Sequence, residues 1–374
     1  MHPMNPLSLV RIAALSLIVW GLSACSELPS TPLPASADAA EHVAPYRPRP
    51  GHERPLVAVV AHNAGTELVD FLVPYGVLRR SGVAEVVAVS TEPGPIQMRP
   101  GLTLQADVTI DQFDDSHAQG ADYVVVPAVL MENRAEPRLL RWLQGQATRG
   151  AIVVSICDGA LVVAEAGLFK GHRATGHWAT QSMRETEYPD TRWLKNVRYV
   201  DNGAVISSAG VTAALPLSVA LVEAIGGRDT AKALAQQLGL DRWDSAHASE
   251  GFHLGLQDIA VYARNRWLST HDEIELPVAP GVDEIALALT ADVLGRTMRA
   301  HVSATAATVE PVRSQGGITI LPQLPAGPAA GRMRHPLMAA EPARALDQTL
   351  NDIAQRYGRA TADFVRLQLE YPRP

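Results

Sequence analysis

The chain has 374 residues, 47% of them apolar, and a net charge of −7, so it can bury the core of one large domain or two ordinary ones. This composition excludes disorder over most of the length, and the acidic balance excludes a basic nucleic-acid surface. The twelve histidines are scattered, and no His, Cys, Asp or Glu cluster has metal-ligand spacing. We therefore expect no metal, no cofactor and no nucleic-acid partner.

Residues 1–24 have the pattern of an export signal. Arg11 ends a short N-terminal region, and the apolar run 12–22 is too short to cross a bilayer comfortably. The sequence LSAC that ends at Cys25 resembles a bacterial lipobox, in which the cysteine becomes the lipidated first residue of the mature chain. An uncleaved anchor and a plain secretory peptide are the alternatives. Ser26 implies, by resemblance to Gram-negative lipoproteins, an outer-membrane lipoprotein that faces the periplasm.

Residues 25–54 are rich in proline and alanine and show no apolar period, which predicts a tether between the membrane and a folded region. The chain has two cysteines, Cys25 and Cys157. If Cys25 carries lipid, Cys157 is the only thiol and cannot form an intrachain disulfide. A lone thiol in an oxidising compartment is a liability unless it is buried or used.

Strands and helices alternate along residues 55–240. Apolar runs predict strands, and amphipathic stretches that end at glycine predict helices. This alternation predicts an α/β fold, a three-layer sandwich with a mostly parallel sheet, followed by a C-terminal α/β extension over 241–374. The predicted strands are 56–61, 86–90, 123–126 and 151–156, and the predicted helices are 67–81, 137–147 and 160–166.

Cys157 follows the last of these strands directly, and the small residues Gly159 and Ala160 come after it. A nucleophile on a sharp turn between a strand and a helix forms a nucleophile elbow. Such a turn places the thiol over the N-terminus of the next helix, where we expect a stabilised thiolate. Cys157 is therefore the predicted reactive centre; a buried structural cysteine is the plainer alternative.

Three separated motifs, in the same order, resemble the ThiJ/PfpI family of the class I glutamine-amidotransferase-like fold. The similarity covers about residues 55–230 and is nearest to the branch that occurs in AraC-type regulators and isocyanide hydratases. The motifs are GTELVD (65–70) with Pro74 and RRSG (79–82); CDGA (157–160) with AEAGL (164–168) and RATGHW (173–178); and DNG (201–203) with SSAGVT (207–212) and AIGG (224–227).

The resemblance implies a role for each matching residue. Cys157 is the nucleophile or an oxidation-sensing thiol, and Asp70 falls where the family places an acid against the thiol. His177 falls where some members carry a histidine near the thiol, although it also fits a packed core position. The amides of Asp158 and Val129 fall where the family forms an oxyanion pocket, but the glycine pair usual there is absent. The Asp158 side chain either points away from the thiol or acts as a second acid or base.

Two functions remain open. In the first, Cys157 serves a hydratase, hydrolase or glyoxalase-like enzyme that acts on a small electrophile. In the second, the protein is a redox sensor or ligand-binding module without turnover. Peptidase chemistry is disfavoured because Asp158, rather than His, follows the cysteine. If the Asp70 carboxylate and the Cys157 sulfur are not within hydrogen-bonding reach, the enzyme hypothesis loses most of its support.

The C-terminal region carries a partial repeat of the first β-α-β unit. A shift of 216 positions places residues 65–104 on 281–320 without a gap. Under this shift Asp70 corresponds to Ala286, so the copy lacks the predicted acid. We therefore expect a structural role for the copy, which would replace the surface of a homodimer partner. The protein is then a monomer with an internal pseudo-repeat, with a homodimer as the alternative. The ten identical positions in the copy are Gly281, Val293, Leu294, Arg296, Ala300, Val302, Ala304, Pro311, Gly317 and Thr319.

The chain ends in a helical pattern over 343–370 that Gly358 divides into two helices. The pattern faintly resembles a helix-turn-helix, but it lacks a basic recognition face. A pair of helices that caps the domain is the simpler prediction.

Overall fold

The first apolar run of the folded region forms the central strand β1 (Leu56–Ala61), and all six of its residues are buried. The computed structural model of the protein describes residues 41–49, 54–325, 331–337 and 341–372. The predicted signal sequence and Cys25 lie outside the described residues. Within those ranges, no helix has the length and apolar character needed to cross a membrane.

Strands and helices alternate after β1, as the sequence predicts. The elements of the first half are β2 (Thr66–Glu67), α1 (Leu68–Ser81), β3 (Glu85–Ser90), β4 (Ile96–Arg99), β5 (Thr103–Gln105), β6 (Val108–Thr109), α2 (Ile110–Ser116), β7 (Tyr123–Val126), α3 (Pro137–Thr148), β8 (Ile152–Ser155), α4 (Gly159–Glu165), β9 (Arg173–Ala174), α5 (Gln181–Glu187), β10 (Arg192–Trp193), β11 (Tyr199–Asp201), β12 (Val205–Ser208), α6 (Ala214–Gly226) and α7 (Arg228–Leu238).

The second half begins with a short helix on the surface and ends with the two predicted terminal helices. Its elements are α8 (Leu256–Ala263) with a π-helical turn (Arg264–Leu268), β13 (Asp272–Pro277), α9 (Glu284–Gly295), β14 (Ala300–Ala306), β15 (Val312–Arg313), β16 (Thr319–Ile320), β17 (Leu324–Pro325), β18 (Arg332–Arg334), α10 (Arg344–Tyr357) and α11 (Arg359–Leu369).

The central sheet has seven strands in the order β11-β12-β8-β7-β1-β3-β6, and every pair except β11 with β12 is parallel. One face packs against α1 and α6 and the other against α3 and α4, with an apolar core on each side. The predicted three-layer α/β sandwich with a C-terminal α/β extension is therefore confirmed. Sheet order brings the ends of β7 and β8 together, and Cys157 lies at this edge.

Residues 41–49 fell within the predicted tether, but they lie against the folded domain. The Tyr46 amide donates to the Ala224 carbonyl at 2.8 Å, and the Tyr46 hydroxyl donates to Asp122 at 2.9 Å. The Ala44 amide donates to Asp201 at 2.7 Å. The prediction that this part is a tether is wrong, because polar and aromatic groups between the prolines find partners on the domain.

The C-terminal half contains a copy of the region from β1 to β6. Shifting β1 by 216 positions gives the bounds of β13, and the same shift takes β6 to β17. Helix α9 and strands β14, β15 and β16 begin within one residue of the positions that α1, β3, β4 and β5 predict under the same shift, although β15 and β16 are shorter than β4 and β5. The structural repeat therefore spans 272–325 and extends beyond 281–320 at both ends.

The two copies face each other across a pseudo-twofold relation within one compact unit. Arg80 of the first copy lies 2.9 Å from Asp283 of the second. The same shift converts this pair into Arg296 with Glu67, which also forms a hydrogen-bonded ion pair. Leu104 pairs with its own counterpart Ile320 where β5 meets β16. Such reciprocal contacts are those of an isologous dimer interface, here formed inside one chain.

Candidate functional site at Cys157

Cys157 occupies a strained turn between β8 and α4. Its φ of 55° lies in the left-handed region, which a side chain other than glycine rarely adopts. Gly159 makes the turn possible because a Cβ there would stand 2.0 Å from the Val126 carbonyl oxygen. The turn has the geometry of a nucleophile elbow.

The thiol lines a small cavity of about 180 Å³. We call this space the thiol cavity. Both halves of the chain contribute to its wall. The lining residues are Glu67, Ala128, Val129, Met131, Arg134, Cys157, Asp158, Leu161, His177, Val211 and Arg296.

Asp70 is fully buried and does not line the thiol cavity. Its Oδ2 accepts a hydrogen bond from the Ala128 amide at 3.1 Å, whereas Oδ1 has no partner among the described residues. The expected hydrogen bond between Asp70 and the Cys157 sulfur is therefore not formed, so the enzyme hypothesis loses the support that it drew from Asp70. Burial and the nearby charge of Glu67 raise the pKa of Asp70 well above its usual range, which favours the protonated carboxyl.

Glu67 places a second carboxyl in the cavity wall. It shares the Arg296 guanidinium with Asp292, whose Oδ1 lies 2.8 Å from Arg296 Nε. Burial raises the pKa of Glu67 to about 8, although Arg296 opposes the shift. Glu67 is therefore largely protonated at neutral pH, and its proton can be donated to Asp292 Oδ2, a buried oxygen without another donor among the described residues.

The direction of the Cys157 pKa shift is opposite to the one that the predicted thiolate requires. Burial, followed by the charges of Asp70, Asp158 and Glu67, raises the pKa of Cys157 well above its ordinary value. Arg296 opposes this shift but does not reverse it. Cys157 is 5% exposed, and desolvation disfavours a charged sulfur. The expectation that the helix N-terminus stabilises a thiolate is wrong, because burial, the largest cause of the shift, outweighs a helix of seven residues.

Asp158 lines the thiol cavity, but its side chain is already engaged. Oδ1 accepts a hydrogen bond of 2.5 Å from the Thr180 hydroxyl and lies 3.6 Å from Arg184. Arg184 is fully buried and stacks on Trp193, with 5.1 Å between guanidinium and ring centre. This network compensates the Asp158 charge and leaves the carboxylate less available as a second acid or base.

His177 also lines the cavity, yet the structure places neither ring nitrogen on the thiol. Nε2 lies 3.0 Å from the Gln368 carbonyl and therefore donates to it, while Nδ1 accepts from the Ala179 amide at 3.2 Å. The adjacent Trp178 indole donates to the Leu367 carbonyl at 2.9 Å. Both side chains of the motif are thus fixed by the end of α11, and we assign His177 a positioning role.

The predicted oxyanion amides are those of Val129 and Asp158. Both residues line the thiol cavity, and neither amide has an acceptor among the residues that the structure describes. Ala128, which stands where the family often has glycine, gives its amide to Asp70 instead. The oxyanion role of Val129 and Asp158 stays a prediction.

Sequence reasoning missed Glu67, Arg296 and Asp292. It treated the repeat as a structural element, whereas Arg296 reaches the thiol cavity from the second copy. The available signal was the identity of Arg80 and Arg296 under the shift of 216, since a preserved arginine within an apolar helix needs a buried partner.

Stability is expected to fall as pH rises because of Glu67. The folded state keeps a proton to about pH 8 that the unfolded chain releases near the ordinary value of 4.5. Stability from this proton is complete below pH 4.5 and is lost as pH rises towards 8, by at most about 1.4 kcal/mol per pH unit. Urea unfolding at several pH values should show this slope, and Glu67→Gln should make it shallower, leaving the part that comes from the raised pKa values of Asp70 and Asp292. Glu85→Gln, an exposed control, should retain the slope; an unchanged slope in Glu67→Gln would contradict the assignment.

The fold and site define an α/β domain with a cysteine on a nucleophile elbow. Residues 56–224 match the DJ-1/PfpI family. The isonitrile hydratase of Pseudomonas putida is 31% identical over 177 residues, which cover 46% of this chain and 72% of that protein. The chain belongs to the DJ-1/PfpI family, which confirms the resemblance found in the motifs.

Other similar proteins match this chain over different shares of their own length. The HTH-type transcriptional regulator CdhR of Pseudomonas aeruginosa is 30% identical over 155 residues, or 41% of this chain and 44% of the regulator. Among solved structures, Drosophila melanogaster DJ-1beta is 20% identical, with a TM-score of 0.45, and covers 50% of this chain and 98% of its own. A ThiJ/PfpI family protein from Pseudomonas syringae is 20% identical, with a TM-score of 0.45, and covers 52% of this chain and 82% of its own.

Proposed function

We propose that the protein is a cysteine-dependent hydratase that acts on a small uncharged electrophile of the isonitrile type. The observation that carries the proposal is that the Cys157 thiol and the protonated Glu67 carboxyl line one cavity of about 180 Å³. The similarity to an isonitrile hydratase suggests the substrate class. A neutral thiol beside a neutral acid suits this substrate, because an isonitrile carbon must accept both a proton and a nucleophile.

The steps balance without an oxidant or reductant. Glu67 donates its proton to the isonitrile carbon, Cys157 sulfur attacks that carbon, and the thiol proton returns to the Glu67 carboxylate. The C–H and C–S bonds formed give a thioimidate. Water then adds to the thioimidate carbon, the C–S bond breaks, and the N-substituted formamide leaves as the thiol is restored. Asp70, behind the thiol, is the alternative proton donor.

The test is formamide production by the purified full chain from a small alkyl isonitrile, measured by chromatography. Cys157→Ala should reduce turnover to the uncatalysed rate, and Glu67→Gln should lower kcat by about 10²–10⁴-fold. Asp70→Asn identifies the donor if it has the larger effect. Glu85→Gln, at the exposed start of β3, is the matched carboxylate control and should leave turnover unchanged. Absence of formamide from the wild-type chain would overturn the proposal.

A redox-sensing or ligand-binding module without turnover is the second candidate. Two observations favour its ligand-binding form: Asp70 makes no hydrogen bond to the sulfur, and the raised pKa of Cys157 disfavours the thiolate that both turnover and redox sensing use. In that case an electrophile should modify Cys157 once, and intact-mass measurement should show a stable adduct with no released product. Release of product with recovery of the free thiol would exclude this candidate.

We also propose that the protein is an outer-membrane lipoprotein that faces the periplasm and is anchored through Cys25. The support is the signal-like pattern of residues 1–24 and the LSAC junction, both of which precede the described residues. This proposal is independent of the chemistry at Cys157.

Fatty-acid labelling in a Gram-negative host tests the anchor. The wild-type chain should incorporate label, and Cys25→Ala should abolish incorporation because no other residue at the junction offers a thiol. Cys157→Ala is the matched control and should be labelled like wild type. Labelling that persists in Cys25→Ala would refute the anchor.

A further inference from the structure

Large apolar side chains are concentrated on one exposed surface of the second half. They lie on α8, its π-helical turn and the residues just before α8, and we call this surface the apolar face. Monomeric proteins rarely leave such a group exposed without an interaction to make. The exposed fractions are Leu254 56%, Leu256 79%, Ile259 41%, Tyr262 36%, Trp267 65% and Leu268 82%.

The inner side of the same segment is held firmly, so this exposure is not a frayed end. Asn265 is fully buried and donates to the Thr297 carbonyl at 2.9 Å and to the Thr361 hydroxyl at 3.2 Å. Val261 is buried on the same side. One side of the segment is therefore fixed to the protein by hydrogen bonds, and the opposite side exposes apolar side chains to solvent.

The charges around the apolar face favour an anionic surface. Arg266 is exposed there and forms no ion pair with a carboxylate in the described part of the chain. Arg264 is also exposed and has no carboxylate partner among those residues, but its guanidinium donates to Asn265 Oδ1 at 3.3 Å and to the Thr361 hydroxyl at 3.3 Å. The one acid within 254–268, Asp258, is buried and accepts from the Gly255 amide at 2.9 Å. This local positive charge contrasts with the net charge of −7 of the whole chain. Exposed Trp and Tyr with flanking Arg are typical of segments that lie in a membrane interface.

The length of the chain permits the proposed anchor and this face to reach one membrane surface. The Ala44 amide bonds Asp201, and five residues earlier Asn196 donates to Glu250 at 2.8 Å, just before the apolar face. Five residues span at most about 18 Å. Residues 26–40, which separate Cys25 from the described chain, span at most about 50 Å.

We propose that the apolar face docks on the surface of a phospholipid bilayer with anionic headgroups. Leu256, Trp267 and Leu268 enter the headgroup boundary, while Arg264 and Arg266 contact phosphates. A second copy of the chain fits less well, because paired faces would bring like-charged arginines together. The proposal goes beyond the thiol chemistry, and it uses the anchor at Cys25 only as the reason why a membrane is near.

Flotation with vesicles of phosphatidylcholine and phosphatidylglycerol tests the proposal on the full chain carrying Cys25→Ala, which cannot be lipidated. Adding Leu268→Glu should lower the vesicle-bound fraction about tenfold. Transfer of a leucine side chain from water into the bilayer contributes at least that factor to binding, and glutamate does not make this transfer. Val309→Glu, 58% exposed outside the apolar face, is the matched control and should not change binding. Binding should also fall with pure phosphatidylcholine vesicles.

Two outcomes would overturn the proposal. Equal binding of the chains with and without Leu268→Glu would show that the face does not contact lipid, whatever the state of Cys25. Sedimentation that shows a lipid-free dimer dissociated by Leu268→Glu would assign the face to a second copy. Leu268 is 82% exposed, so the substitution leaves the core intact, and circular dichroism confirms folding in each variant.

Discussion

Replacing Gly159 by alanine is expected to destabilise the protein by about 3 kcal/mol or more, because no space exists for the added methyl group. The new Cβ would lie 2.0 Å from the Val126 carbonyl oxygen and 2.9 Å from the Pro127 carbonyl carbon. Both obstacles are backbone atoms of the neighbouring strand, so no rotamer change relieves the contact. The elbow must open, and Cys157 must leave its position in the thiol cavity.

Urea unfolding of the wild-type chain and of Gly159→Ala measures the loss of stability, and Gly145→Ala provides the control. Gly145 lies within α3, and its added Cβ would meet only Arg149 Nη1, at 3.8 Å. Alanine there should stabilise the chain by about 0.5–1 kcal/mol through helix propensity. If Gly159→Ala unfolds at the wild-type urea concentration, the close approach of α4 to β7 does not exist in solution.

The elbow illustrates what local sequence patterns can predict. An apolar run, a cysteine and two small residues define a strand, a turn and a helix within ten positions, and each signal depends only on its neighbours. The same holds for the break between the terminal helices, where Gly358 has a φ of 90°. These features were predictable because short-range sterics determine them.

The composition of the thiol cavity was much less predictable. Glu67 and Arg296 are 229 positions apart in sequence, and their pairing follows from how the two copies pack. His177 illustrates the converse, since its sequence context suggests a catalytic partner. Its ring nitrogens are instead occupied by Ala179 and by Gln368 near the chain end. Side-chain partners of this kind are tertiary facts that no local period encodes.

The full extent of the repeat could not be predicted from sequence identity either. Strands β13 and β17 share no identical residue with β1 and β6 under the shift of 216, yet their bounds coincide. Even the register is kept at one edge, where Val89 pairs with Val108 and its counterpart Thr305 pairs with Leu324. Many apolar residues fit a buried strand, so backbone geometry persists after identity has gone.

Replacing Arg296 by methionine is expected to cost about 3–5 kcal/mol of stability, because it removes the cation shared by two carboxyls. Asp292 would be affected most, since its side chain is 0% accessible and, apart from the Glu67 carboxyl, its Oδ2 has no donor among the described residues. Without the guanidinium, the pKa of this buried carboxyl rises further. The folded variant then keeps a proton that the unfolded chain releases, so the deficit should grow as pH rises and shrink in acid.

Urea unfolding at acidic and neutral pH tests this expectation with two controls. Arg313→Met removes a second-copy arginine that is 66% exposed and 3.8 Å from Asp107, and it should change stability by less than about 1 kcal/mol. Arg296→Met combined with Asp292→Asn removes the unpaired Asp292 carboxylate and should recover part of the stability that Arg296→Met loses. If the double variant is no more stable than Arg296→Met, lost packing rather than an uncompensated charge explains the effect. A recovery would show that the second copy stabilises the domain through the same guanidinium that it contributes to the wall of the thiol cavity.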